Sequence, residues 1–254
     1  MRILLPEAFE NPEDGFGLQQ AVLEEAGSGE RGPTALLWSS ERYVGLTRPE
    51  TRLAGFPEAA RRMGRLGFPV LVRNSGGGAV AANRGSLSFS MTFPVEEFRQ
   101  GLYERYAEGS RVIVAALRGL GVDAEAGEVE AEFCPGAYSV RAGGEKGVKV
   151  AGLAQRVTRR AARVEALILV SETGEIRTAL SELYPALGLP FRPEGVGDLT
   201  GENGPLEMSE VVRALVTELG REYGATQATV GDTLLLRARE LRGSWRAEPG
   251  RPSV

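Results

Sequence analysis

Cys134 is the one cysteine of this chain, and it precedes Pro135-Gly136. Neither a helix nor a long strand continues through Pro-Gly, so the thiol belongs to a loop or strand end and can face a cleft. A thiol with an ordinary pKa of about 8.5 is mostly protonated near neutral pH, and a nearby ammonium group favours the thiolate by charge attraction. The commoner fate of a free cysteine is an inert, buried apolar residue, and that reading stays open here. Two lysines follow, Lys146 in a Gly-rich turn and Lys149 in a strand-like run, where a solvated surface lysine is the ordinary reading. The sequence has no histidine, which excludes a Ser-His-Asp triad, a Cys-His pair and a His-rich zinc site, and one cysteine excludes a thiolate zinc cluster. Proton transfer near neutral pH would fall to a lysine, a carboxylate or a tyrosine with a shifted pKa.

The second stretch with chemical capacity is Asn74-Ser75-Gly76-Gly77-Gly78, between two β-type runs. Its glycines leave backbone N–H groups unshielded, able to line a cleft or to bind a carbonyl or an anion. Neither G-x-x-x-x-G-K-[ST] nor G-x-G-x-x-G is present, so a nucleotide phosphate loop is not indicated. A glycine-rich hairpin connection remains the alternative.

Several elements must position these groups. Leu18, Ala21, Val22 and Ala26 recur at spacings of three and four, predicting a helix over 16–26 that Gly27-Ser28-Gly29 stops. Strands are expected at 34–38 and 43–46, a helix at 56–66, and strands at 69–73 and 87–93 on either side of the glycines. Residues 103–120 read as an amphipathic helix ended by Gly121. Strand-like pieces near 128–133, 137–140, 147–154 and 164–170 predict an antiparallel segment. A linker rich in Gly and Pro at 188–205 leads to helices at 206–219 and 230–241, and 247–254 reads as disordered. Strands and helices without regular βαβ alternation predict an α+β fold, mostly antiparallel mixed sheets flanked by helices. The expected division is a catalytic domain over 1–187 and a C-terminal helical extension over 188–254 packed on the same domain.

At 254 residues, 42% hydrophobic and 25% charged, the chain has globular proportions. A net charge of −4 gives no global field that would favour nucleic acid or an anionic membrane, so neither is an expected partner. No apolar run reaches spanning length, and the N-terminus reads as lacking a secretory signal, which makes the cytoplasm the expected location.

The motifs themselves carry a resemblance. Arg73-Asn74-Ser75-Gly76-Gly77-Gly78-Ala79-Val80 resembles the R-x-S-G-G-G/L-A-V segment of lipoate ligases and octanoyltransferases, which walls the acyl pocket in that superfamily. Lys149-Val150-Ala151-Gly152-Leu153-Ala154-Gln155-Arg156 resembles its lysine loop and selects Lys149 over Lys146. Phe133-Cys134-Pro135-Gly136-Ala137-Tyr138 is similar to the segment that holds the nucleophilic cysteine of octanoyl-[H protein]:protein octanoyltransferases. Where ATP-using ligases commonly carry His-Asp after the glycines, this chain has Ala82-Asn83. Ser139 stands where the octanoyltransferases have Asp, and Ser88 where Asn is common.

The resemblance implies a biotin/lipoate-ligase-like catalytic fold, with Cys134 and Lys149 catalytic and Arg73, Ser75, Gly76, Gly77, Gly78, Ala79, Gly152 and Ala154 binding substrate. Lys149 is expected to favour the thiolate and to donate to the acyl carbonyl, with backbone N–H groups of Gly77, Gly78 or the Gly152 turn helping. Lys149→Ala is accordingly expected to slow acylation without disturbing the fold. The implied reaction moves an octanoyl or lipoyl group from the glycine-cleavage H protein to the target lysine of lipoyl domains of 2-oxoacid dehydrogenases, through an acyl-Cys134 thioester. It requires no cofactor. The alternatives are an octanoyl transferase drawing on acyl carrier protein, and an ATP-dependent lipoate ligase, the only one of the three that uses ATP. Arg156, Arg159, Arg160 and Arg163 are either a solvated face or a patch that docks acidic carrier domains.

Overall fold

The computed structural model describes residues 1–97 and 100–247, so the segment expected to be disordered lies outside the described residues except for Ala247. The chain opens with strand β1 (Arg2–Leu4), helix α1 (Pro12–Ser28) and strands β2 (Thr34–Trp38) and β3 (Tyr43–Thr47). After a 3-10 turn at Glu50–Arg52 come α2 (Phe56–Arg65), β4 (Val70–Arg73), β5 (Val80–Ala82) and the long β6 (Ser86–Pro94). Helix α3 (Leu102–Arg118) leads to the short β7 (Ala124–Ala126) and β8 (Val140–Ala142), then to the hairpin of β9 (Val148–Val157) and β10 (Ala161–Leu169). The chain continues through α4 (Thr173–Leu187), two-residue strands β11 (Thr200–Gly201) and β12 (Gly204–Pro205), α5 (Met208–Tyr223), β13 (Thr226–Ala228) and α6 (Asp232–Glu240).

Eight strands form one sheet in the order β13-β1-β2-β6-β10-β9-β8-β7, and a smaller sheet has the order β4-β3-β5. In the large sheet only β13-β1-β2 pair in parallel; the remaining neighbours are antiparallel. The expected α+β architecture of mostly antiparallel mixed sheets flanked by helices is therefore the one observed.

Alternation along the strands explains why both faces of the large sheet are covered. In β2, Leu36 and Trp38 join one core while Ala35 and Leu37 join the other, because successive side chains of a strand point to opposite faces. Leu167 and Leu169 of β10 divide from Ala166 and Ile168 in the same way. One face is covered by α3 and α5, through Val112, Ile113, Leu117, Val211, Leu215 and Leu219. The other core brings together α1, the small sheet, α2 and α4. No helix among the described residues is long and apolar enough to cross a membrane.

Local chemistry moves several boundaries. Helix α1 starts earlier than its apolar spacing indicates, because the Asn11 side chain accepts from Glu13 N–H at 3.0 Å and Pro12 occupies the first turn. Residues 128–133 form no strand: their backbone and that of the following turn wrap around the Glu132 carboxylate, leaving no ladder to join. Helix α4 has no counterpart in the sequence reading, although Ile176, Ala179, Leu180, Leu183 and Leu187 show the helical spacing. Beyond Leu187 the chain returns to the body of the molecule, with β13 beside β1, α5 on α3 and α6 on α1.

Candidate active site

The glycine segment is not a hairpin. Strands β4 and β5 pair with opposite edges of β3, β4 in parallel and β5 antiparallel, so residues 74–79 cross over the end of β3. Glu50 fixes the far side of this crossing: one carboxylate oxygen accepts from Thr47 N–H and hydroxyl, each at 2.8 Å, and the other from Ala79 N–H at 2.7 Å. Gly76 N–H donates to Gln155 O at 3.1 Å, which ties the near side to β9.

Cys134 lies against this crossing in the loop between β7 and β8. It is 3% exposed, with φ of +45°, a left-handed conformation that costs a non-glycine residue energy and is held here by its surroundings. Its N–H donates to Tyr184 Oη at 2.7 Å, and Tyr184 in turn donates to Ala79 O at 2.9 Å. Its sulfur accepts from Gly78 N–H at 3.1 Å and from Arg73 Nη2 at 3.4 Å. A Cβ on Gly77, whose φ is +89°, would sit 2.7 Å from Sγ, and one on Gly78 would sit 3.3 Å from Cys134 Cα. Gly77 is thus required for the loops to meet, and Gly78 eases the approach.

The cation that reaches the sulfur is Arg73. Burial by itself would lower the Arg73 pKa, but the facing sulfur and the Glu165 carboxylate outweigh it, and the net direction is upward. The groups that meet the sulfur are thus a permanently charged guanidinium and a backbone N–H, both donors. Arg73→Met removes the charged donor and should slow alkylation of Cys134 by iodoacetamide by about tenfold, the equivalent of one lost charge-assisted contact. An unchanged rate in protein shown to be folded would contradict a contribution of Arg73 to the reactivity of the sulfur.

Lys149, expected at the sulfur, is engaged elsewhere. It is 0% exposed, and its Nζ donates to Phe133 O at 2.7 Å and Cys134 O at 2.9 Å and pairs with Glu132 at 3.1 Å. Glu132 also accepts from Val129 N–H, Gly136 N–H and the Ser139 hydroxyl, so the pair fastens the whole Cys134 loop from beneath. Burial lowers the Lys149 pKa below its ordinary 10.5, with Cys134 and Glu132 opposing. Gly152 of the lysine loop leaves room for this side chain, since a Cβ there would lie 3.0 Å from Lys149 Cε. Lys146 is exposed.

Behind the sulfur lies an internal cavity of about 40 Å³, whose lining runs from Cys134, Gly152 and Ala154 to an aromatic group formed by Phe16, Trp38, Tyr43 and Trp245. Tyr43 is buried, which pushes its phenol up to about 12, against the lowering effect of its hydrogen bond with Ser88. Glu165 is the one carboxylate in the described lining. Gln19 and Ser75 donate to it, Arg163 Nε lies 2.6 Å away and Arg73 Nη1 lies 3.9 Å away. Burial would raise the Glu165 pKa, but Arg163, Arg73 and the Ser75 hydroxyl together hold it below its ordinary 4.5.

A depressed carboxylate pKa contributes stability above the unfolded value that is lost as pH falls through the folded one. Glu165→Gln should therefore cost about 3 kcal/mol near neutral pH, where it leaves two buried guanidinium groups without their anion. The gap between variant and wild type should close on acidification below the ordinary carboxylate range. Urea melts across that interval measure it, and a gap independent of pH would contradict an ionised Glu165.

The structure thus brings Arg73, Ser75, Gly77, Gly78, Ala79, Cys134, Gly152 and Ala154 around one centre. Lys149 underlies it, and Gly76 is an exposed link to β9. The four arginines do not form one patch. Arg163 is 3% exposed and donates to Asn74 and Gln19 as well as Glu165, whereas Arg156, Arg159 and Arg160 are exposed. Arg156 lines a cleft of about 390 Å³ outside the glycine crossing, while Arg159 and Arg160 line another beside α1. Asn83 supports a turn: its side chain accepts from Gly85 N–H and donates to Glu172 O. Sequence reasoning did not single out Glu165, Tyr184 or Trp245, which are far in sequence from the motifs they serve, nor Glu132, which lies two residues before Cys134 but reads there as part of a strand. The spacing of α4 alone would have marked Tyr184 as inward-facing.

The model of the lipoyl protein ligase A/B catalytic domain matches residues 11–220. The octanoyl-[GcvH]:protein N-octanoyltransferase of Geobacillus kaustophilus is 31% identical over 173 residues, 68% of this chain and 60% of that protein. Its namesake from Bacillus velezensis is 28% identical over 227 residues, 83% of this chain and 78% of that protein. The lipoyl-[GcvH]:protein N-lipoyltransferase of Listeria monocytogenes is 31% identical over 172 residues, 66% of this chain and 58% of that protein. The chain thus spans less than two thirds of the Geobacillus and Listeria relatives. Among solved structures, a lipoate-protein ligase A bound with ATP has a TM-score of 0.74 at 22% identity, covering 94% of this chain and 93% of that one. The bipartite lipoate protein ligase of Thermoplasma acidophilum, studied with its E2 lipoyl domain, has a TM-score of 0.68 at 22% identity, covering 94% and 91%. At these identities the structural likeness establishes the fold.

Proposed function

Because the chain belongs to the lipoyl protein ligase A/B catalytic-domain family, we propose that it is a cysteine-dependent octanoyl or lipoyl transferase that carries the acyl group on Cys134. The observation that carries the reading is the placement of Sγ at a cavity wall with Gly78 N–H at 3.1 Å and Arg73 Nη2 at 3.4 Å. In the first step the thiolate attacks the acyl carbonyl of a donor lysine amide. The C–S bond forms, the C–N bond breaks, and the departing amine takes a proton. In the second step the amine of the target lysine attacks the thioester, C–N forms, C–S breaks, and the amine proton is released to the thiolate or to solvent.

Amide is exchanged for amide, so the overall reaction is close to isoenergetic and needs no nucleotide. The Gly78 N–H and the Arg73 guanidinium are within reach of charge that develops on the acyl oxygen next to the sulfur. Lys149 acts as a positioning residue: it holds the carbonyls of Phe133 and Cys134 and so fixes the strained turn that aims the sulfur. The names of the relatives support GcvH, the H protein, as acyl donor and a protein as acceptor; lipoyl domains of 2-oxoacid dehydrogenases are the acceptors of this reading. Arg156, exposed at the cleft outside the glycine crossing, is the arginine best placed to meet an acidic carrier. Against the ATP-dependent alternative stand Cys134 at the octanoyltransferase position and Ala82-Asn83 where ATP-using ligases commonly carry His-Asp.

The test is to incubate the protein with octanoylated H protein and an apo lipoyl domain without ATP, and to follow octanoyl transfer and the intact mass of the enzyme. Transfer together with an adduct of one octanoyl group is expected. Activity that appears only with ATP and free lipoate would overturn the proposal.

A further inference from the structure

The cavity behind Cys134 is closed in part by a residue from outside the two sheets and α1. Among its described lining residues all but one lie between positions 16 and 167; the exception is Trp245. Residues 245–247 run along β4, the edge strand of the small sheet. Val72 N–H donates to Trp245 O at 2.6 Å, and Arg246 bridges antiparallel to Leu71. Ion pairs hold the segment to the start of α1: Arg246 Nε to Glu13 at 2.8 Å, and Arg242 to Asp14. The Trp245 ring packs against Phe16 with centroids 5.8 Å apart. The residue is 6% exposed, yet its Nε1 has no hydrogen-bond partner among the described residues. A buried indole normally satisfies that donor, so this one is not anchored by it.

The size of the cavity gives this wall a consequence. The free space is small, about 40 Å³, so an acyl chain that reaches in from Cys134 fills it against the wall, and a longer chain must move part of the wall. Strands β6, β9 and β10 are paired on both sides within the large sheet and cannot yield singly. The C-terminal segment is instead a single pass along the outer edge of the small sheet, held by short pairing with β4 and by the contacts of Arg242, Gly243 and Arg246 with the start of α1. We infer that the acyl tail displaces the Trp245 indole, and that Trp245 thereby sets the longest chain the site accepts. This inference rests on the acyl-transfer reading of the cavity.

Binding of the acids themselves tests the inference without requiring transfer. The full chain is titrated calorimetrically with hexanoate, octanoate, decanoate and dodecanoate, whose carboxylates suit the Arg73 and Gly78 donors. Each methylene that gains buried room is worth about fourfold in affinity. The wild type should bind octanoate in preference to dodecanoate, and Trp245→Ala should raise the dodecanoate-to-octanoate affinity ratio at least tenfold. If Trp245→Ala does not fold, Trp245→Leu keeps contact with Phe16 and should shift the ratio in the same direction. An unchanged ratio in the folded variant, or a wild type that binds dodecanoate as well as octanoate or binds neither, overturns the inference. A shifted ratio in protein that shows no octanoyl transfer would leave the length limit standing and remove the transferase reading.

Discussion

Cys134→Ser is expected to abolish the octanoyl adduct and to slow ATP-free transfer by about 10³-fold or more, with the thermal midpoint little changed. The chemical loss is large because a serine hydroxyl is far less acidic than a thiol, and this chain has no histidine to deprotonate it. The Gly78 N–H and the Arg73 guanidinium are donors and cannot take a proton from a hydroxyl. The structural loss is small because serine oxygen can accept from the same two donors. Intact-mass and transfer assays on the purified variant check this, and wild-type transfer by Cys134→Ser would sink the acyl-cysteine route.

Lys149→Ala is expected to destabilise the protein by roughly 3–5 kcal/mol, the cost of leaving one charge of a buried pair unmatched. The Lys149 side chain is 0% exposed and that of Glu132 is 1% exposed. This reverses the expectation from sequence that the fold would survive the change. The lysine resembles a reagent when read as a motif, but in the structure it is the counter-ion of a carboxylate that organises the Cys134 loop. Urea melts measure the loss. The double variant Lys149→Met with Glu132→Gln should recover most of the stability, because it removes both charges. It should not recover transfer, because the carbonyls of Phe133 and Cys134 still lack their donor. Full stability in Lys149→Ala alone would contradict the buried pair, and full transfer in the double variant would deny Lys149 its positioning role.

Much of the centre was legible because its motifs are short and their geometry is local. Gly77 and Gly78 stand out as places where another chain must approach closely, and the approach proves to be that of Cys134 itself. Pro135-Gly136 marked Cys134 as a loop residue. The arginine cluster was misleading in one member: Arg163 lies on β10, whose two faces are both covered, and its burial is matched by Glu165 two residues along the same strand and by Gln19 O and Asn74. Residues 128–133 misled for a related reason, since a run with strand-like composition is spent on enclosing Glu132.

By itself the sequence determined the fold class and which reactive groups the chain possesses. A single cysteine, no histidine, three consecutive glycines and the periodicities of strands and helices are one-dimensional facts, and the chemistry they exclude is excluded in any conformation. Only the tertiary structure decided which cation meets the sulfur. Arg73 and Lys149 lie 61 and 15 residues from Cys134, and the more distant one reaches Sγ because β4 ends at the cavity while Lys149 points beneath the loop toward Glu132. Trp245 and Tyr184 belong to the same class of facts. Burial and charge pairing act through space, over distances that sequence separation does not encode.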